Sequence, residues 1–317
     1  MVHGLNYPKR NILMNNPIYL SVVLSTYNEE KYIAKAIQSI LNQTYPYFEF
    51  IIVNDGSTDR TLQIIESFND PRIIIINKYN SGLPDSLNEG IKLARYDWIA
   101  RMDGDDIAEP TRFEMQVKYI SGKVGVIGGQ FVSIDENDNV YSDSHSAKPL
   151  EYSKCKLWLL FGMSPLAHPT VLIRKSCLQQ YGGYDSNFRA AQDVELWCRL
   201  APDVKIINVP ECVLKYRQHS NNITNKHKEL QREFTFLGFM KSVLNIRKPL
   251  TVEEFTKLVT FLSSKRLIQR NERNFIWSHG GKGFFREVKL VSYYTWRLLV
   301  MLRYRLYGSL TLIKIFK

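Results

Sequence analysis

Residues 100–110, ARMDGDDIAEP, set Asp103, Asp105 and Asp106 within four positions directly behind an apolar run. Neighbouring carboxylates repel one another and are costly to bury, so the cluster calls for a neutralising partner. A divalent cation is one. Mg²⁺ takes one or two protein carboxylates and completes its shell with water and phosphate oxygens. That suits Asp105 as principal ligand with Asp103 beside it, and Gly104 permits close backbone approach. Taken alone, DxDD is equally an acidic turn capping the helix after Glu109-Pro110.

The elements around the cluster must then place it at a strand end. YLSVVLST (19–26), FEFIIVN (48–54), RIIIINK (72–78) and DWIARMD (97–103) read as buried strands. Between them lie EEKYIAKAIQSILNQ (29–43), with isoleucines at helical spacing and glutamates in its first turn, then RTLQIIESF after the turn DGSTD, and SGLPDSLNEGIKLA (81–94). Alternating strands and helices with continuous apolar strands predict an α/β fold, a mainly parallel sheet covered on both faces. Such sheets bind ligands beyond the carboxyl ends of their strands. The clusters Ser25-Thr26-Tyr27-Asn28, Asn54-Asp55-Gly56-Ser57 and Asp103-Gly104-Asp105-Asp106 should therefore meet on one rim. Farther on, GVIGGQFVSIDENDNVYSD reads as a hairpin turning near DENDN, 151–162 as an amphipathic segment and PTVLIR (169–174) as a strand. RAAQDVELWCRLA (189–201) reads as a helix, CVLKYRQHS (212–220) as a strand, and the chain from about 226 as mostly helical.

VVLSTYNEE, IIVNDGSTDRT, NSGLPDSLNEGI and ARMDGDDIAEPTRFEMQ, in this order, resemble the family-two inverting glycosyltransferases of GT-A fold, non-processive and of the bacterial polysaccharide type. The similarity continues through HPTVLIRKS, GGYD, QDVELWCRL and YRQH, covers about 20–220, and fades after that. The resemblance implies a Rossmann-like catalytic domain over 1–225, followed by a basic, mostly helical region over 226–317. It implies a nucleotide-sugar donor, UDP favoured, Mg²⁺ or Mn²⁺, and a glycan or lipid-linked acceptor. Ser25, Thr26, Tyr27, Glu29, Asp55 and Asp103 correspond to the nucleotide site, with Tyr27 stacking on the base and Asp55 accepting from a uracil N–H. Asp103, Asp105 and His219 correspond to the metal and diphosphate site, and Asp106 is read as orienting its neighbours or a helix N-terminus. Ser57 and Asp59 are assigned mainly to capping. Asp193 corresponds to the catalytic base, which draws the proton from the acceptor hydroxyl. The family's usual Glu-Asp is here Gln192-Asp193, which bears on acceptor contacts. His168 is read as a loop residue, Arg217 as a phosphate or carboxylate partner, and Trp197 as either a sugar platform or core.

The 317 residues carry 42 Lys+Arg against 31 Asp+Glu, a net charge of +11. Residues 241–317 hold 16 Lys/Arg and 4 Asp/Glu, so the excess lies in this tail. Its last stretch, from Phe284 through Arg286, Lys289, Arg297, Arg303 and Arg305 to Lys317, mixes leucines, tyrosines and Trp296 with cations. That pattern predicts an amphipathic helix on an anionic membrane surface. No apolar run approaches the roughly 18 residues of a membrane span. No signal peptide is visible, and the four cysteines lack CxxC spacing, so a cytoplasmic protein peripheral at the inner face of the membrane is expected. The absence of a QxxRW motif and of spans argues against a processive synthase. No nucleic-acid module accompanies the basic tail, and no nucleic-acid partner is expected. The rival from another class is a catalytically silent sugar-nucleotide or glycan-binding protein on the same scaffold.

Overall fold

The structure, a computed structural model, describes residues 17–141, 145–160, 163–219, 228–243 and 245–264. The first half alternates as expected: β1 (Leu20–Thr26), α1 (Ile33–Leu41), β2 (Phe48–Asp55), α2 (Thr61–Glu66), β3 (Ile73–Lys78), α3 (Leu83–Leu93) and β4 (Trp98–Asp103). There follow β5 (Ile107–Ala108), α4 (Arg112–Val117), β6 (Val124–Ile134), α5 (Tyr152–Leu160), a 3₁₀ turn (His168–Thr170), β7 (Leu172–Arg174) and α6 (Lys175–Tyr181). The last described elements are α7 (Gln192–Leu200), β8 (Lys205–Arg217), α8 (Lys228–Val243) and α9 (Val252–Ser264). All eight strands form one sheet in the order β3-β2-β1-β4-β7-β6-β8-β5. β1 to β4 run parallel, whereas β7 is antiparallel to both of its neighbours.

The continuous apolar runs follow from burial on two faces. Leu20, Val22 and Leu24 of β1 and Phe50 and Ile52 of β2 pack with Ile33, Ile37 and Ile40 of α1. The alternate residues Val23, Ile51 and Val53 point the other way and join Leu87 of α3 in a second core. A Cβ on Gly90 would lie 2.6 Å from Val23 Cγ1, so glycine is what lets α3 lie against β1. That second core also takes in Trp197 of α7, Phe234, Leu237 and Met240 of α8, and Leu258 of α9. The packing thus continues across residue 226. The basic aromatic stretch and the membrane-surface helix expected there lie outside the described residues.

Three local expectations change. The isoleucine strand β3 is one edge of the sheet and only half-buried, because no strand of the described residues pairs with its outer flank. The turn at DENDN forms, with Asp138 in the left-handed region (φ 71°), but among the described residues the returning arm is joined to β6 by an isolated bridge, Ile134 to Val140, and a bond from Ser146 N to Phe131 O rather than as a strand. β6 spends its pairing capacity on β7 and β8 instead. Finally, α1 begins at Ile33, so Glu29 and Glu30 are outside it. Their backbone N–H groups donate to Thr61 Oγ1 (2.8 Å) and Asp59 Oδ2 (3.2 Å), which holds them in the preceding loop.

Candidate active site

The parallel register brings the strand ends level. Ser25 lies opposite both Val53 and Asp103, Thr26 opposite Asn54, and Asp55 opposite Lys78. Ser25 and Thr26 have buried side chains. A Cβ on Gly104 would come within 2.8 Å of Thr26 Oγ1, so the glycine lets the aspartate loop fold down over the end of β1. Tyr27 is exposed at the rim. Asn28 behind it is left-handed (φ 56°), a conformation asparagine tolerates better than most residues. Its N–H donates to Ser57 Oγ at 3.0 Å, and its Oδ1 accepts from Thr58 N at 2.8 Å. The DGSTD turn therefore ties the Tyr27 loop to the second strand end, beyond the capping first assigned to Ser57 and Asp59.

Asp55 is buried beneath the 78–82 loop. It accepts from Lys78 Nζ, from Ser81 N at 2.9 Å and from Gly82 N at 2.9 Å. Burial alone would raise its pKa, but the bonds from Lys78, Ser81 and Ser86 outweigh that and hold it below the usual carboxylate range. It is an ionised anchor for the loop at this end of the rim.

The three aspartates divide their roles. Asp103 forms an ion pair with Arg101, two residues earlier and thus on the same face of β4. Burial raises Asp103, with the Arg101 charge opposing and the neighbouring Asp105 adding to the rise. Asp105 Oδ2 lies 3.0 Å from His219 Nε2, just beyond the end of β8. Asp106 turns inward: only 1% exposed, it accepts from Arg217 N at 2.8 Å through Oδ1. Its Oδ2 has no hydrogen-bond partner among the described residues. Burial, and then repulsion from Asp105 and Asp103, pushes Asp106 well above the ordinary carboxylate value.

Arg217 is the buried tie of this corner. Nε donates to Asp105 O and Nη1 to Asp135 O, both at 2.8 Å, while Nη2 pairs with Asp138 at 2.5 Å. Its guanidinium also lies over the Tyr32 ring, 4.6 Å from the centroid. With no exposed side chain, it holds the loop that bears Asp105 rather than reaching toward a phosphate.

Two sets of ligand atoms converge within 4.8 Å: Glu29, Asp105 and His219, and Asp103, Asp105 and Asp106. Asp105 is common to both. Hard carboxylate oxygens with one imidazole suit Mg²⁺ or Mn²⁺, and the buried Asp106 oxygen at the same corner lacks a hydrogen-bond partner among the described residues. Glu29, read from the sequence as a nucleotide contact, is placed among these ligand candidates.

Asp193 is the second residue of α7, whose N-cap Ala191 lies in the left-handed region (φ 52°). Burial raises its pKa. The Val194 backbone hydrogen bond and the charges of Arg101 and Lys148 pull the other way without cancelling the rise. The Asp193 charge adds, after burial and Asp105, to the rise of Asp103. For two residues the structure answers to the plainer reading, core for Trp197 and a loop residue for His168. Trp197 is fully buried in the core and offers no sugar platform. His168 Nε2 lies 2.7 Å from the Tyr184 hydroxyl, and burial and the Arg101 charge press its pKa well below normal, leaving it a neutral, half-buried residue.

Sequence reading missed Arg101 and Lys148. Arg101 was findable, as the one cation inside the apolar strand that ends in Asp103. Lys148, which donates to Ser164 O at 2.9 Å and lies within electrostatic reach of Asp193, has no local signal.

A mostly parallel sheet whose strand ends gather an exposed tyrosine and a carboxylate cluster, with a separate half-buried aspartate at the start of α7, is the framework of a GT-A glycosyltransferase. The fold agrees with that of TarS residues 1–349 from S. aureus in complex with UDP-GlcNAc. The TM-score is 0.61 at 18% identity, covering 90% of this chain and 81% of that one. It also agrees with the mannosyltransferase PcManGT of Pyrobaculum calidifontis in complex with GDP-Man and Mn²⁺, at TM-score 0.55 and 14% identity over 94% and 78% of the two chains. The family model described as Glycosyl transferase family 2 matches residues 21–182. The UDP-Glc:alpha-D-GlcNAc-diphosphoundecaprenol beta-1,3-glucosyltransferase WfgD of Escherichia coli is 30% identical over 224 residues, 69% of this chain and 85% of that protein. The chain belongs to glycosyl transferase family 2.

Proposed function

We propose that this glycosyltransferase moves one sugar from a UDP-sugar to a hydroxyl of a lipid-linked saccharide, with inversion at the anomeric carbon and with Mg²⁺ or Mn²⁺ bound. The observation that supports this reading is the convergence of Asp103, Asp105, Glu29 and His219 at one corner of the rim, with Asp193 electrostatically linked to it. Tyr27 offers a ring face to the base, and Asp55 anchors the loop beneath it. Asp105, flanked by Asp103, Glu29 and His219, would hold the cation. When bound, the cation supplies Lewis-acid stabilisation of charge developing on the diphosphate. Asp193 accepts the proton of the acceptor hydroxyl as its oxygen bonds to the anomeric carbon, and the bond from that carbon to the diphosphate oxygen breaks. The acceptor class is suggested by the relative named for transfer to a GlcNAc-diphosphoundecaprenol, and by the basic tail.

Two measurements test this. In a thermal-shift panel of UDP-, GDP- and dTDP-sugars, one UDP-sugar should stabilise the chain, more strongly with Mn²⁺. At a hundred times Kd the gain is about 2.7 kcal/mol. A panel in which no sugar nucleotide raises Tm would overturn the donor assignment. No helix among the described residues is long and apolar enough to cross a membrane. The full chain should float with anionic liposomes while a chain ending near 264 stays in solution; identical behaviour of the two would remove the membrane role of the tail.

A further inference from the structure

Four charged side chains are sealed behind α7. Lys241 of α8 bonds Asp185 Oδ2 at 2.8 Å and Glu195 Oε1 at 2.5 Å, and none of the three is more than 1% exposed. Glu195 also binds the equally buried Arg199 at 2.6 and 2.7 Å. Two cations face two carboxylates, so the set is neutral as a whole, the condition under which buried charge is tolerable.

The placement along the chain gives this set its meaning. Asp185 precedes the loop that leads into α7, and Glu195 lies inside the helix, two residues beyond Asp193. Lys241 therefore joins the two flanks of the segment that presents Asp193. Within that segment Ala191 holds φ 52°, a conformation that alanine disfavours and that persists only where the surroundings impose it. Contact with α8 is also direct. A Cβ on Gly238 would stand 3.1 Å from Glu195 Cα, so the α8 backbone lies against α7 at that point. Gly238 and Lys241 are three residues apart and share a face of α8. Residues two apart on α7 do not, so the grip falls behind the helix and leaves Asp193 to the site. Leu250 N, beyond α8, adds a 2.8 Å bond to Asp185 Oδ2.

We propose that Lys241 is a positioning residue for Asp193, so that α8, outside the segment matched by the family model, sets the placement of the base. The inference rests on the reading of Asp193 as that base. The test uses the full chain carrying Lys241→Met or Lys241→Arg. It follows UDP release from UDP-glucose with Mn²⁺ and water as acceptor, across pH, together with amide exchange of residues 189–196. Lys241→Met should lower kcat at least tenfold, leave KM for UDP-glucose within twofold, move the acid limb of the pH profile and speed exchange at 189–196. Lys241→Arg, which can remake both ion pairs, should recover most of each effect. A Lys241→Met chain with lowered Tm but unchanged exchange at 189–196 and an unchanged profile would reduce the residue to packing and overturn the proposal. Should Lys241→Met not fold, the paired variant Lys241→Met/Glu195→Gln, which removes both charges together, is read in the same way. Asp193→Asn, measured beside them, separates the two questions: wild-type turnover in that variant sinks the base assignment, whereas the exchange data judge Lys241 independently of it.

Discussion

Asp193→Asn is expected to lower sugar transfer by about 10³-fold, inside the 10²–10⁴ range of a lost general base. The amide matches the carboxylate in size and can keep its backbone contacts in the first turn of α7, but it cannot take a proton. Affinity for the UDP-sugar with Mn²⁺ should stay within twofold, because the donor end of the rim is built by β1, β2 and β4. The pH dependence follows from the environment of the aspartate. Burial favours the protonated form, so the pKa in the folded protein lies above the ordinary carboxylate value. Only the deprotonated form acts as a base. Transfer should therefore rise with pH through that elevated value and level off above it, and the asparagine variant should lose this limb. Transfer within tenfold of the wild type, or an acid limb that persists without the carboxylate, would remove Asp193 from the mechanism.

Asp105→Asn should cost a further large factor, about 10²–10³ in turnover, comparable to the loss of one charge-stabilising group in a preorganised site. It should also abolish the Mn²⁺-dependent part of UDP binding. The fold should survive, since Arg217 holds the Asp105 backbone carbonyl and leaves its side chain free of that duty. Asp106→Asn makes the useful contrast. That side chain faces inward to Arg217 N, so its replacement should alter stability more than cation affinity. Calorimetry with Mn²⁺ and UDP, and turnover with and without a chelator, read both variants. Full turnover in the presence of a chelator would end the metal assignment.

Much of the rim built by β1, β2 and β4 was legible in the chain because its signals are local. An apolar run of β-branched residues, a Gly-containing turn and a short amphipathic helix each follow from residues within about ten positions of one another. Their repetition dictates a parallel sheet and hence a common rim. Even the Arg101–Asp103 pair is a matter of strand alternation. The helix starts were harder. Glutamates near a helix N-terminus are favourable by their charge, yet Glu29 and Glu30 are held in the loop by Thr61 and Asp59. That competition takes place between residues about thirty positions apart.

By itself, then, the sequence determined the strand–helix alternation, the polar tips of the strands and the family to which they belong, because hydrophobic period and turn chemistry act at short range. Tertiary structure decided which tips become a site. His219 meets Asp105 across 114 positions, Arg217 meets Asp106 across 111, and Lys241 meets Asp185 across 56. Those contacts depend on the order and register of β5 and β8 and on where α8 comes to rest. Each is set by the burial of whole faces, whose free energy belongs to the assembled core and not to any stretch of chain within it.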